Sequence, residues 1–194
     1  MKNIAIFASG TGSNAVRLYQ YFAEKKAEIN VALLVCNKAD AAVVQKMQSL
    51  NVPVYILSNK EIESGKGLLK KLSEYKIDWI VLAGFLRKIP DLIIKGYKNK
   101  IINIHPSLLP KYGGKGMYGM NVHKAVVENK EKESGISIHL VNEVYDDGKI
   151  LFQKSCALSP KDLAEDVAKK VQQLEHDYFP KVVEETINQS TNEN

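Results

Sequence analysis

Asn103, His105 and Asp146 are residues whose types can do chemistry together: an amide, an imidazole and a carboxylate. The first two close the apolar run Ile101-Ile102-Asn103-Ile104-His105, and Pro106 and Pro110 then stop any regular structure. Side chains alternate across a strand, so Asn103 and His105 leave from one face and Ile102 and Ile104 from the other. In open α/β sheets that end of a strand is where ligands bind. An amide and an imidazole placed there can hold a carbonyl, stabilise its oxyanion and move a proton. A neighbouring carboxylate raises the imidazole pKa and stabilises its cation. Asp146 and Asp147 are adjacent in a Gly-containing turn, where aspartate is also common for local hydrogen bonding, and either can be the one that faces His105. His139 reads as a core or interface histidine of a strand, and His123 falls in a helical surface pattern.

A second candidate site is the turn Gly10-Thr11-Gly12-Ser13-Asn14-Ala15 between a first strand and a helix. Backbone N–H groups and the helix dipole in such a turn face an anion, and glycine lets the backbone approach it closely. Gly10, Gly12 and Ala15 nearly fit a dinucleotide fingerprint. The second strand, however, ends at Cys36-Asn37-Lys38, without the acidic residue that grips a ribose diol, so a terminal phosphate suits the turn better than NAD. Arg87 and Lys88 follow the fourth strand at the same sheet edge, where they can meet an acidic ligand or simply solvent.

The elements that must position these residues alternate. Strand patterns cover 3–8, 31–36, 54–57, 79–83 and 101–105, and helical patterns run to Lys25, from a cap at Asp40, over 61–75 and near 90–97. That order predicts an α/β fold with a doubly wound, mainly parallel sheet. Residues 113–119 hold four glycines and read as a mobile loop before a helix over 120–130. Gly135–Val141 and Lys149–Gln153 then predict an antiparallel C-terminal hairpin. Ser159-Pro160-Lys161-Asp162 reads as the start of a long C-terminal helix with a stripe of Leu163, Val167, Val171, Leu174 and Tyr178. Pro180 is expected to break or kink it, and 189–194 to form a disordered tail. One domain over 1–188 results.

Composition excludes several classes. The 194 residues are 45% hydrophobic and 25% charged, as in a globular protein, and no apolar run reaches the roughly 20 residues that span a bilayer. The first residues lack a signal-peptide pattern, so a cytoplasmic protein is expected. Cys36 and Cys156 make neither a disulfide framework nor metal-ligand spacing. A net charge of +5 mildly favours anionic ligands, but lysine and glutamate are mixed along the chain, which gives no support to nucleic-acid binding.

Several blocks together resemble the phosphoribosylglycinamide formyltransferase family of the folate-dependent formyltransferases: residues 6–14, Cys36-Asn37-Lys38-Ala39-Asp40, residues 81–87, residues 103–112 and residues 135–148. The resemblance covers the chain to about Pro180. It implies a Rossmann-like formyltransferase fold and transfer of a formyl group from the cosubstrate 10-formyltetrahydrofolate to the amine of phosphoribosylglycinamide, without a metal. Asn103, His105 and Asp146 match the family's catalytic trio. Thr11, Gly12, Ser13 and Asn14 match its phosphate cradle, and Glu175, with Gln172 and Gln173 nearby, its contact to the ribotide sugar. Leu86, Arg87, Lys88 and Ile89 match the segment lining the pterin pocket, and Asn142, Glu143, Val144, Tyr145 and Asp146 the loop that closes it. The glycine-rich 113–119 segment is longer than in the familiar form, Gly65-Lys66 stands where an arginine often meets the folate tail, and Asp147 replaces a common glycine. A monomer and a homodimer both remain open. The competing readings are a deformylase with the same trio, a methionyl-tRNA formyltransferase, an NAD-dependent oxidoreductase and a silent ligand-binding module.

Overall fold

The computed structural model describes residues 1–25 and 28–192. The amino-terminal half alternates β1 (Lys2–Phe7), α1 (Ser13–Lys25), β2 (Ile29–Cys36), α2 (Ala42–Ser49), β3 (Val54–Ile56), α3 (Asn59–Ser64), α4 (Lys66–Glu74) and β4 (Trp79–Leu82). It continues through α5 (Asp91–Gly96), β5 (Ile101–His105), α6 (Met120–Glu128), β6 (Glu133–Leu140), β7 (Ile150–Ala157) and α7 (Ala164–Asn192). Among the described residues the strands form one sheet in the order β3-β2-β1-β4-β5-β6-β7. The first five are parallel, and β6 and β7 run antiparallel.

Alternation along the strands feeds two apolar layers. Ile4, Ile6, Leu34, Cys36, Val81, Ile102 and Ile104 pack with residues of α1, α2, α6 and α7. Ala5, Phe7, Leu33, Val35, Ile80, Leu82 and Ile101 pack with α4 and α5 on the other face. Removing a side chain such as Phe7 or Leu34 fully from water stabilises by about 1.5–3 kcal/mol, which is why the central strands hold without a wet face. The strand order reverses between β1 and β4. The loops after these strands are joined there by the Ser9 N–H donating to the Gly84 carbonyl at 3.1 Å.

Several local expectations are corrected. Asp40 does not cap α2; the helix follows Ala41 without a side-chain cap, and the Val43 N–H instead donates to the Gly10 carbonyl at 3.1 Å. The helix expected over 61–75 is two helices, divided where Gly65 adopts φ +68 after a Ser58–Glu61 capping box. Residues 159–162 form a turn and α7 starts at Ala164, with the Leu163 N–H bonded to Asp166 at 3.0 Å; Leu163 is 64% exposed and lies outside the buried stripe. Pro180 does not break α7. The carbonyl that its missing N–H leaves free, that of His176, accepts from Arg17 Nε at 3.4 Å. Residues 189–192 continue the helix where a tail is expected, and 193–194 lie outside the described residues. No helix among the described residues is long and apolar enough to cross a membrane.

Candidate active site

Strand β5 ends in the crevice beyond the parallel strands, and its last residues enter a cavity of about 770 Å³. Thr11, Gly12, Ser13, Asn14, Leu86, Arg87, Asn103, His105, Tyr145, Asp146, Gln172 and Glu175 all line it, so residues distant in sequence converge there. A second pocket of about 90 Å³ is lined by Arg87, Lys88, Ile89, Asn142, Glu143 and Val144 among others. Phe85, Arg87, Asn103, Tyr145 and Asp146 line both, so the amide and the carboxylate stand where the two spaces meet. Gln173 is the expected site residue that stays outside: its exposed side chain donates to Asp177 at 3.0 Å.

The turn after β1 is shaped by glycine. Gly12 has φ +75, and a Cβ there would lie 2.4 Å from Val43 Cγ2, so a side chain is excluded. The first N–H groups of α1 have no partner within the helix and are donors for an anion. Lys46 Nζ donates to the Thr11 carbonyl at 2.8 Å and brings positive charge to the turn. From α7, Gln172 donates to Ser13 Oγ at 3.2 Å, and Glu175 accepts from Asn14 Nδ2 at 2.8 Å. Burial pushes the Glu175 carboxyl up, and the Asn14 bond offsets only part of this. Asn14 Oδ1 is buried without a partner.

His105 is 4% exposed. Its Nε2 lies 2.7 Å from the Tyr112 carbonyl, which only accepts, so Nε2 carries hydrogen and Nδ1 faces Asp146 Oδ2 at 3.7 Å. That distance is too long for a direct hydrogen bond and leaves Nδ1 accessible to a reacting group. Asp146, not Asp147, faces the imidazole; Asp147 lies instead near Asn142 Nδ2 at 3.5 Å. The expected rise of the His105 pKa is not the net result. Burial depresses it and outweighs Asp146 and the Tyr112 carbonyl, which both favour the cation, while His139 adds to the depression. Burial raises the Asp146 carboxyl, but the His105 charge and the Gly114 N–H help hold it below its ordinary value. Asp146 is placed by φ +53 and by the Gly114 N–H at 2.8 Å.

The antiparallel pairing of β5 with β6 adds groups that single-strand reading leaves aside. Register sets His139 opposite Asn103 and Ser137 opposite His105. His139 Nδ1 donates to the Leu140 carbonyl at 2.9 Å, which leaves Nε2 to accept from Asn103 Nδ2 at 3.0 Å. His139 is therefore part of the site's support, and the signal for it was its place on a strand that pairs with β5. His123 is buried, not on the surface, and lines the cavity with Met120 at the start of its own helix and with Met117 and Tyr118 from the glycine-rich segment. Burial depresses its pKa, and so does His105.

A family model described as formyl transferase matches residues 2–183. The chain is 38% identical over 187 residues to the chloroplastic phosphoribosylglycinamide formyltransferase of Arabidopsis thaliana, an alignment covering 94% of this chain and 64% of that protein's length. It is 33% identical over 191 residues to the phosphoribosylglycinamide formyltransferase of Bacillus subtilis (strain 168), covering 96% of this chain and 95% of the relative. The crystal structure of phosphoribosylglycinamide formyltransferase from Bacillus halodurans superposes with a TM-score of 0.88 at 32% identity, covering 97% of each chain.

Proposed function

The chain belongs to the formyl transferase family, and from that premise we propose that it transfers a formyl group from 10-formyltetrahydrofolate to the amine of phosphoribosylglycinamide, a step of purine biosynthesis. One observation carries the reading: Asn103 and Asp146 stand at the junction of two pockets that differ in character. The smaller has apolar walls from Leu82, Ile89, Ile94 and Val141 with polar groups at Asn142 and Glu143, which suits a flat heterocycle with polar edges. The larger combines the N–H groups of the Gly10–Asn14 turn with Gln172 and Glu175, which suits a phosphate joined to a sugar.

At the junction, Asn103 Nδ2 has a second hydrogen that can donate to the oxyanion forming on the formyl carbon. His105, protonated at Nδ1, stabilises the same charge, and Asp146 favours that protonation. As the ribotide amine bonds to the formyl carbon and the bond to the folate nitrogen breaks, the amine's proton passes to the departing nitrogen, and Asp146 is placed to order a water that carries it.

The test is to mix purified protein with 10-formyltetrahydrofolate, with and without ribotide, and to follow tetrahydrofolate and formylated product. Tetrahydrofolate release that needs the ribotide and matches product one for one is the expected result. Release without ribotide identifies a deformylase, and no release returns the chain to ligand binding alone.

A further inference from the structure

We infer that Tyr112 and Glu131 are positioning residues that hold the His105 ring, an inference that rests on the function proposed above. The stretch after Pro110 carries both backbone groups that hold the imidazole and its carboxylate. The Tyr112 carbonyl accepts from His105 Nε2 at 2.7 Å, and the Gly114 N–H donates to Asp146 Oδ2 at 2.8 Å. Between them, a Cβ on Gly113 would come within 2.6 Å of Leu109 Cδ2 and 3.3 Å of Asp146 Cβ, so this backbone lies against both walls. A small rotation at Tyr112 therefore moves both partners at once.

Tyr112 has φ +56, an uncommon conformation for a bulky residue, which persists only where surrounding contacts over-determine it. Its phenol donates to Glu131 Oε1 at 2.9 Å, and Lys111 Nζ reaches the same oxygen at 3.1 Å. Glu131 lies between α6 and β6, and its own N–H donates to the Val126 carbonyl at 3.2 Å, which ties it to the end of α6. Ser107 Oγ braces the turn from the other side by donating to the Lys111 carbonyl at 2.6 Å. Neither Tyr112 nor Glu131 lines the large cavity, so each acts on the chemistry through His105. The groups facing His105 are Asp146, His139, His123 and the Tyr112 carbonyl. Of these, only Asp146 and the carbonyl favour the cation, so loosening the carbonyl leaves Asp146 alone against burial and His139.

Nitrogen-15 NMR of the ligand-free protein reads the His105 ring directly. In Tyr112→Phe and Glu131→Ala the protonation midpoint is expected to fall by about half a pH unit or more. Since the cation is the working form, the falling limb of kcat against pH moves to lower pH with it. At neutral pH kcat drops at least about threefold while the ribotide KM stays within about twofold. Glu131→Gln keeps an acceptor for the phenol and restores most of both quantities. An unchanged midpoint and profile in Tyr112→Phe and Glu131→Ala overturns the inference, and if Tyr112→Phe does not fold, the partly exposed Glu131→Ala decides alone. The ring titration needs no substrate. An unmoved ring in an active enzyme sinks the positioning role only, and a moved ring in protein without formyl transfer sinks the functional reading only.

Discussion

Asn103 Nδ2 meets His139 Nε2 at 3.0 Å across the β5–β6 register, and the Leu140 carbonyl fixes which histidine nitrogen accepts. The contact decides which way the Asn103 amide points, and so whether a donor or an acceptor faces the reacting carbonyl. His139→Ala is expected to lower kcat about tenfold or more with the ribotide KM within about twofold, because the loss appears as charge develops. Asn103→Ala, which removes the donor itself, is expected to cost about 100- to 1000-fold. Steady-state kinetics check both, and a change confined to KM removes the orienting role from His139.

Glu175 illustrates a conflict between stability and binding. Its carboxyl is raised by burial, so the folded state binds that proton more tightly than the unfolded chain. The resulting stability is present below the ordinary value of 4.5 and is lost as pH rises through the raised value, so ionised Glu175 weakens the ligand-free protein. Glu175→Gln keeps an acceptor for Asn14 Nδ2 and offers a donor to the unpartnered Asn14 Oδ1. We expect about 1 kcal/mol of added stability in urea unfolding, together with ribotide binding weakened about tenfold by calorimetry. Undiminished affinity would take Glu175 out of the site.

Acid should destabilise the protein through its buried imidazoles. His105 and His123 are both depressed below 6.5, chiefly by burial, so the unfolded chain takes up protons there that the folded state refuses. Stability is full above that value and falls as pH drops through it toward the folded values. The urea midpoint is expected to be lower at about pH 5.5 than at about pH 7.5, and His123→Leu, which removes one of the two groups, to narrow the gap. A gap of the same size in the variant would show that His123 has no part in it.

Gly12→Ala places a methyl group 2.4 Å from Val43 Cγ2 at a backbone angle that favours glycine. The expected cost is about 1–3 kcal/mol of stability, since turn and α2 must separate. Ribotide affinity should fall with it because the N–H groups lose their common direction. Denaturation and calorimetry on the same variant check the two effects, and tight ribotide binding by a destabilised variant would move the phosphate elsewhere.

The parallel half of the fold was legible because each strand is a short apolar run bounded by a turn, and the alternating run 135–141, followed after a Gly-containing turn by 149–153, marked the antiparallel end. The place of Asn103 and His105 was legible because both are polar residues where an apolar run stops, whereas sequence alone left Asp146 and Asp147 equal. Helix ends were less so. Asp40 loses its capping role to a carbonyl from a distant turn, and Pro180 stays in α7 because Arg17 from another helix satisfies the freed carbonyl. His139 and His123 depend on what faces them, and Gln173 misses the cavity because it points along α7 toward Asp177. The net pKa of His105 was illegible for the same reason: a neighbouring carboxylate can be guessed from sequence, but the depth of burial cannot.

The two walls of the large cavity have different chain origins. Asn103, His105 and Asp146 come from the middle of the sequence, whereas Ser13 and Asn14 are joined to Gln172 and Glu175 from opposite ends of it. Under the function proposed above, the groups that move a one-carbon unit and those that choose its recipient are separately mutable. A change of recipient can be written at the two ends of the chain, through α1 and α7, while the transfer machinery on β5 and its following loops is left intact.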